Sequence, residues 1–373
     1  MIYMERLRYI SLIFAAAVLL CAPQGFLRAQ GSRPVAEVIS FDDKIHDFGD
    51  VLIGDGPVSH TFRFRNTGDA DLRILNVISS CGCTTPLWPA EPVAPGAEGE
   101  ISVTFTNDQG PYPFDKTLTV YVSGAARPEI LHIRGVAYDK FPRLEERFPQ
   151  RLGRLGFRNF TMSIGHVAKG TSRTDRVRFA NLSDRPLTVE AVEASAGLSA
   201  KVEPNPVPPH EVAYLICTVD SRRVGDVWGR TPLQLKFSVE GRIYPAPFTV
   251  LAYIRDDFST LNEEQIAAAG VPSPVLSYAE IGEIAAGTRV DFSYIVRNTG
   301  KGPLLLRKVD WECEGISDLN RYPIRVKPGA QVELRFRLDT AAREGDVLDV
   351  LTLLTDSPDQ TIVNLFVSGY IKK

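Results

Sequence analysis

The chain has little of what catalysis uses. Its five histidines (His46, His60, His132, His166 and His210) each sit in a strand-like or turn-like stretch, and neither G-x-S-x-G nor H-E-x-x-H occurs. No glycine-rich loop opens a helix, so nucleotide binding has no support, and nothing calls for a cofactor. Beyond the N-terminus, no apolar stretch approaches the roughly 20 residues that span a bilayer as a helix. A formal charge of -3 gives no overall reason to favour nucleic acid or an anionic membrane surface. With 44% hydrophobic and 23% charged residues, the composition is that of an ordinary globular protein able to bury cores. The sequence argues for architecture and against an enzyme.

One stretch is written three times. Phe48-Gly49-Asp50-Val51, a short polar gap, the run from Val58 to Arg65 and Asn66-Thr67-Gly68 make the first copy. Ile164-Gly165-His166-Val167 with Val177 to Ser183 make the second, and Ile281-Gly282-Glu283-Ile284 with Phe292 to Gly300 the third. A spacing of roughly 115 residues is too long for a solenoid and right for whole domains in tandem. The expected domains are 35–138, 139–257 and 258–373.

Within each copy the pattern is that of strands. Val58, His60, Phe62 and Phe64 alternate with Ser59, Thr61, Arg63 and Arg65, the period of a half-buried strand. Asn66-Thr67-Gly68 reads as a turn in which Gly68 takes a positive φ. Leu72, Ile74 and Ile78, then Ile101, Val103 and Phe105, then Leu118, Val120 and Val122, then Leu131 and Ile133 continue the series. About seven short strands per copy, with turns every 8–12 residues, predict an all-β protein of three tandem immunoglobulin-like β-sandwiches.

The N-terminus carries its own signal. Arg6 and Arg8 precede an apolar run from Tyr9 to Cys21, followed by Leu27-Arg28-Ala29-Gln30. These are the parts of a secretory signal peptide over 1–30, cleaved near Ala29 or Gln30. The expected location is the periplasm or cell envelope, including association with the outer membrane. Cys21 is a lipidation candidate, although Leu20 stands where that processing takes a small residue; a discarded signal-peptide cysteine is the plainer reading.

Four segments of the first copy, Phe48 to Val51, Phe62 to Asp69, Ser79-Ser80-Cys81-Gly82-Cys83-Thr84 and Pro92 to Gly96, together resemble the DUF1573 family over about residues 45 to 136. The resemblance implies an exported protein of the Bacteroidetes type, with an Ig-like fold similar to the major sperm protein and PapD domains. It implies no reaction.

Cys81-Gly82-Cys83 is where chemistry has a foothold. Residues i and i+2 of an extended chain project to one face, so both sulfurs point together. Three readings stand side by side: a structural corner beside Trp88, free or disulfide-bonded; a redox-active dithiol; and a metal site for Cu(I) or Zn, with His60 as the one neighbour to nominate. The aligned positions in the other copies are Ala196-Gly197-Leu198 and Cys313-Glu314-Gly315, so the sandwich closes without the pair. Cys217, in an inward-facing series, reads as an inert core thiol.

Between the first two copies, Arg143, Arg147, Arg151, Arg154 and Arg158 are broken up by Pro142, Pro149, Gly153 and Gly156. This basic connector is read as solvated, with an acidic partner or lipid phosphate as the alternative. A short helix over Leu261 to Ala269, capped by Thr260 with Glu263, introduces the third copy. The function expected is a non-catalytic envelope scaffold or binding module whose partner is a protein or envelope component. The alternatives are thiol-redox or metal handling at Cys81 and Cys83, and a periplasmic strand-complementing chaperone.

Overall fold

Alternating apolar residues do build the strands. The computed structural model describes residues 33–107 and 110–372, and its six sheets pair into three tandem immunoglobulin-like β-sandwiches. In the first, one sheet runs Ile39–Phe41, Val58–Asn66, Glu98–Phe105, Thr84–Leu87. The other runs Ile45–Leu52, Glu129–Tyr138, Pro113–Val122, Ile74–Ser79. Phe62, Phe64, Ile101, Phe105, Leu118 and Leu131 meet between them, each fully buried side chain contributing about 1.5–3 kcal/mol. Ile74 and Ile78 lie in one strand, as expected; within it Val77 is buried and Ile78 half exposed, because the register slips between Ile74 and Asn76. The signal peptide over 1–30 and Cys21 lie outside the described residues. No helix among the described residues is long and apolar enough to cross a membrane.

The repeated stretch has a structural meaning. In every copy its first strand pairs in parallel with the last strand of the sandwich: Ile45–Leu52 with Glu129–Tyr138, Thr161–Ala168 with Phe248–Arg255, and Tyr278–Ala285 with Ile362–Lys372. The register slips at the motif glycine each time, and Gly49, Gly165 and Gly282 have φ of +76°, +75° and +66°. The motif is a β-bulge that only glycine makes cheaply.

The turn works differently from expectation. Gly68 lies outside the left-handed region. The turn is held by buried Asn66, whose Nδ2 donates to the carbonyls of Ala70 and Val93 while its Oδ1 accepts from the Gly68 N–H. Asn181 and Asn298 repeat this on Arg185, Val207 and Ser183, and on Gly302, Val326 and Gly300. What the glycine supplies is room: a Cβ on Gly300 would collide with the Ala269 carbonyl. The left-handed residue lies farther on, at Gly96 and Gly329, with φ of +76° and +74°. In the second copy His210 occupies that place at φ +54°, a strain of about 1 kcal/mol for a residue with a Cβ.

Two other segments depart from expectation. The basic connector makes one helical turn, Leu144–Arg147, and then a hairpin, Gln150–Leu152 with Leu155–Phe157, that extends a sheet of the second sandwich. Phe148, Leu152, Leu155 and Phe157 are buried, so the stretch builds core as well as linking. The helix before the third sandwich covers only Glu263–Ala267, and its cap is Asn262 with Gln265, not Thr260 with Glu263. Asn262 Oδ1 accepts from the Gln265 N–H and Gln265 Oε1 from the Asn262 N–H, each at 2.9 Å.

Candidate functional site

Cys81-Gly82-Cys83 forms the corner where the chain leaves Ile74–Ser79 in one sheet and enters Thr84–Leu87 in the other. The corner is pinned by its backbone. Ser79 Oγ donates to the Cys81 carbonyl at 2.7 Å, and the Thr106 N–H donates to the Cys83 carbonyl at 2.9 Å. Cys81 and Cys83 are joined as a disulfide, both half-buried, with Cys83 and Trp88 against the core. Bonded to each other, the sulfurs have no thiolate to offer a metal, so a metal reading needs prior reduction. His60 is engaged elsewhere, stacked on His46 with centroids 3.6 Å apart. Among the described residues no group of three or more His, Cys, Asp or Glu is placed to hold a metal ion.

The other two described cysteines are free. Cys217 is fully buried, and burial pushes its thiol up to about 12, out of reach of ordinary thiolate chemistry. Half-buried Cys313 is pushed up to about 11 by burial and by Asp349. It borders a cleft of about 520 Å³ between the second and third sandwiches, lined also by Leu251, Tyr253, Trp311, Leu348 and Val350.

Both joints between sandwiches carry ion pairs of low exposure. Asp50, 7% exposed, sits just after the first bulge glycine and takes three arginines of the following segment. Arg147 lies at 2.7 Å, Arg158 at 2.5 Å and Arg178 at 3.1 Å. Beside them Arg134 reaches across to Asp175 with both terminal nitrogens, at 2.8 and 2.5 Å. At the second joint Arg307 pairs with Asp256 and stacks on Trp228 at 4.0 Å. Asp310 accepts from the Arg230 N–H at 2.7 Å, an approach that Gly229 permits because a Cβ there would strike the carboxylate. Two of the five connector arginines thus serve the first joint.

Residues 39–137 match the DUF1573 family model. That family is described as a protein of unknown function, and the match covers the first sandwich. A protein of unknown function from Porphyromonas gingivalis W83 is similar at 19% identity and TM-score 0.47, over 58% of this chain and 100% of its own. The periplasmic chaperone SfaE aligns at 10% identity and TM-score 0.21, over 58% and 98%. A PapD-like domain of human CEP192 aligns at 6% identity and TM-score 0.22, over 29% and 88%. No curated protein matches.

In the first sandwich the stacked His46 and His60 join one strand of each sheet, flanked edge-on by Phe48 and Phe62. Burial, then His46, lowers His60 to about 4, with Asp43 opposing; burial also lowers His46, helped by Arg176 and opposed by Asp47 and Asp43. Because the folded state holds His60 neutral, its contribution is present above the unfolded value of about 6.5 and lost as pH falls toward 4. After discounting for partial exposure, the loss is on the order of 1–2 kcal/mol. Urea unfolding at pH 7 and pH 4.5 measures it, and His60→Phe, which keeps a ring in the stack, is expected to show a smaller drop. An equal drop in both proteins would refute the assignment.

Sequence reasoning missed Asp50, Arg134, Asp175 and Arg178 as a group. The recurrence of Gly-Asp, Gly-His and Gly-Glu after the bulge marked the place, but nothing along the chain marks which charges meet.

Proposed function

We propose that this chain is a non-catalytic, exported protein of the cell envelope in which three sandwiches, fixed end to end, serve as a scaffold or binding module. The observation that carries the reading is charge buried at both joints. Ion pairs at Asp50, Asp175 and Asp256 hold neighbouring sandwiches in set positions, as a spacer or a composite binding surface requires. The test is native-gel migration of the endogenous protein from gently solubilised envelope. The expected result is an envelope-fraction assembly heavier than the chain. A free monomer in the soluble cell fraction, or turnover that depends on a defined residue, overturns the reading.

A second reading draws on the disulfide. The partial exposure of the Cys81–Cys83 disulfide supports a role in which it accepts two electrons and two protons from a partner dithiol, which itself closes to a disulfide. Intact mass after acid quench and alkylation, with and without mild reductant, separates a responsive pair from a locked one.

A further inference from the structure

The surface around the bulge meets the next sandwich in the first two copies. In the first, Asp50 on the opening strand and Arg134 on the last strand grip arginines and Asp175 of the second sandwich. In the second, Ser163 and Leu251, paired across the same two strands, and Tyr253 form one wall of the cleft against the third. The pairing places the third copy's equivalents at Glu280 with Ser368 and Glu283 with Tyr370. No other sandwich among the described residues covers these four. Glu283, which stands where Asp50 stands, is 64% exposed and pairs with Lys372 of its own sandwich.

The uncovered face has a definite chemistry. Leu348, opposite Ser368, is 70% exposed, and Tyr278 and Tyr370 are nearly half exposed. Among the described residues, Glu280, Glu283 and Asp346 stand around them with one ammonium, that of Lys372, so the face is apolar at its centre and net negative at its rim. It is also continuous with an interface already formed, since Leu348 lines the mouth of the cleft against the second sandwich. Isolated exposed apolar residues are ordinary; an apolar patch with charged edges, at a position used twice for docking, is a recognition surface.

From the repeated position and its charge we infer that this face docks a separate folded protein, whose arginines reach Glu280 and Glu283 as the second sandwich's arginines reach Asp50. Apolar side chains of that partner cover Leu348 and Tyr370. The inference rests on the binding-module reading and sharpens it to one surface and one kind of partner.

The experiment is photo-crosslinking in cells that make the full chain, with a photoreactive residue at Leu348 and, separately, at exposed Ile130 on the first sandwich. Each is run with and without Glu280→Lys and Glu283→Lys, whose exposed positions leave folding intact, as the unfolding midpoint verifies. The expected result is one adduct from Leu348, joined through an arginine-bearing segment and at least tenfold weaker after charge reversal. No Leu348 adduct, an adduct indifferent to the reversal, or one of twice the chain's mass overturns the inference. Adducts from Ile130 alone refute this face and leave the binding module standing; none from either position counts against both.

Discussion

Replacing Asp50 with Asn is expected to cost roughly 3–5 kcal/mol and to release the first sandwich from the second. The carboxylate is nearly buried, and Arg147, Arg158 and Arg178 all pair with it. Arginine does not shed its proton to escape such a site. Without Asp50 three positive charges face one another in a partly dry joint, and the stacking of Arg147 and Arg158 on Phe148 keeps them there. The loss therefore includes repulsion as well as lost attraction. Adding Arg178→Met to the Asp50 variant is expected to restore part of the stability, because it removes one of the stranded charges. Denaturant unfolding reads the energies, and small-angle scattering reads the loosened joint. Purely additive effects of the two substitutions would count decisively against the clamp.

Asn181→Ala is expected to destabilise the second sandwich by about 3 kcal/mol or more. Asn181 is fully buried. Its Nδ2 donates to the carbonyls of Arg185, Val207 and Pro208, and its Oδ1 accepts from both the N–H and the hydroxyl of Ser183. The Val207 carbonyl keeps the Leu187 N–H, and the Ser183 hydroxyl keeps the Arg185 carbonyl. Alanine therefore takes the partner from the buried Ser183 N–H and from the Pro208 carbonyl, at about 1–3 kcal/mol for each one left unpaired. Asn66→Ala and Asn298→Ala are expected to act in the same direction on their own sandwiches. Trp88, Trp228 and Trp311 place one indole in each, so fluorescence-detected unfolding locates the damage. A loss below about 1 kcal/mol in all three variants would reduce the corner to ornament.

These two predictions divide along what the sequence can say. The asparagine corner is visible as a threefold recurrence of Asn before a turn, but its mechanism is not: a side chain closes the turn, not a left-handed Gly68. The physical reason is that several conformations fit an Asn-Thr-Gly sequence until a carbonyl from a distant strand arrives to be satisfied. Likewise, which of Val77 and Ile78 faces the core is set by a register slip that no local pattern announces.

By itself the sequence determined the all-β class, the three Ig-like sandwiches and the first one's resemblance to DUF1573, because period-2 alternation, bulge glycines and turn residues are local properties of the chain. It also singled out Cys81 and Cys83 as a candidate pair, since two cysteines one residue apart are neighbours in any fold, although the structure sets them in a turn and not on an extended segment. Only the tertiary structure decided that those sulfurs are bonded to each other and that Asp50 gathers Arg147 and Arg158 from 97 and 108 residues away, and Arg178 from farther still. The same holds for the outer face of the third sandwich, left uncovered around Glu283. Charge pairing across a joint depends on how two folded bodies come to rest against each other, and no spacing along one chain encodes that contact.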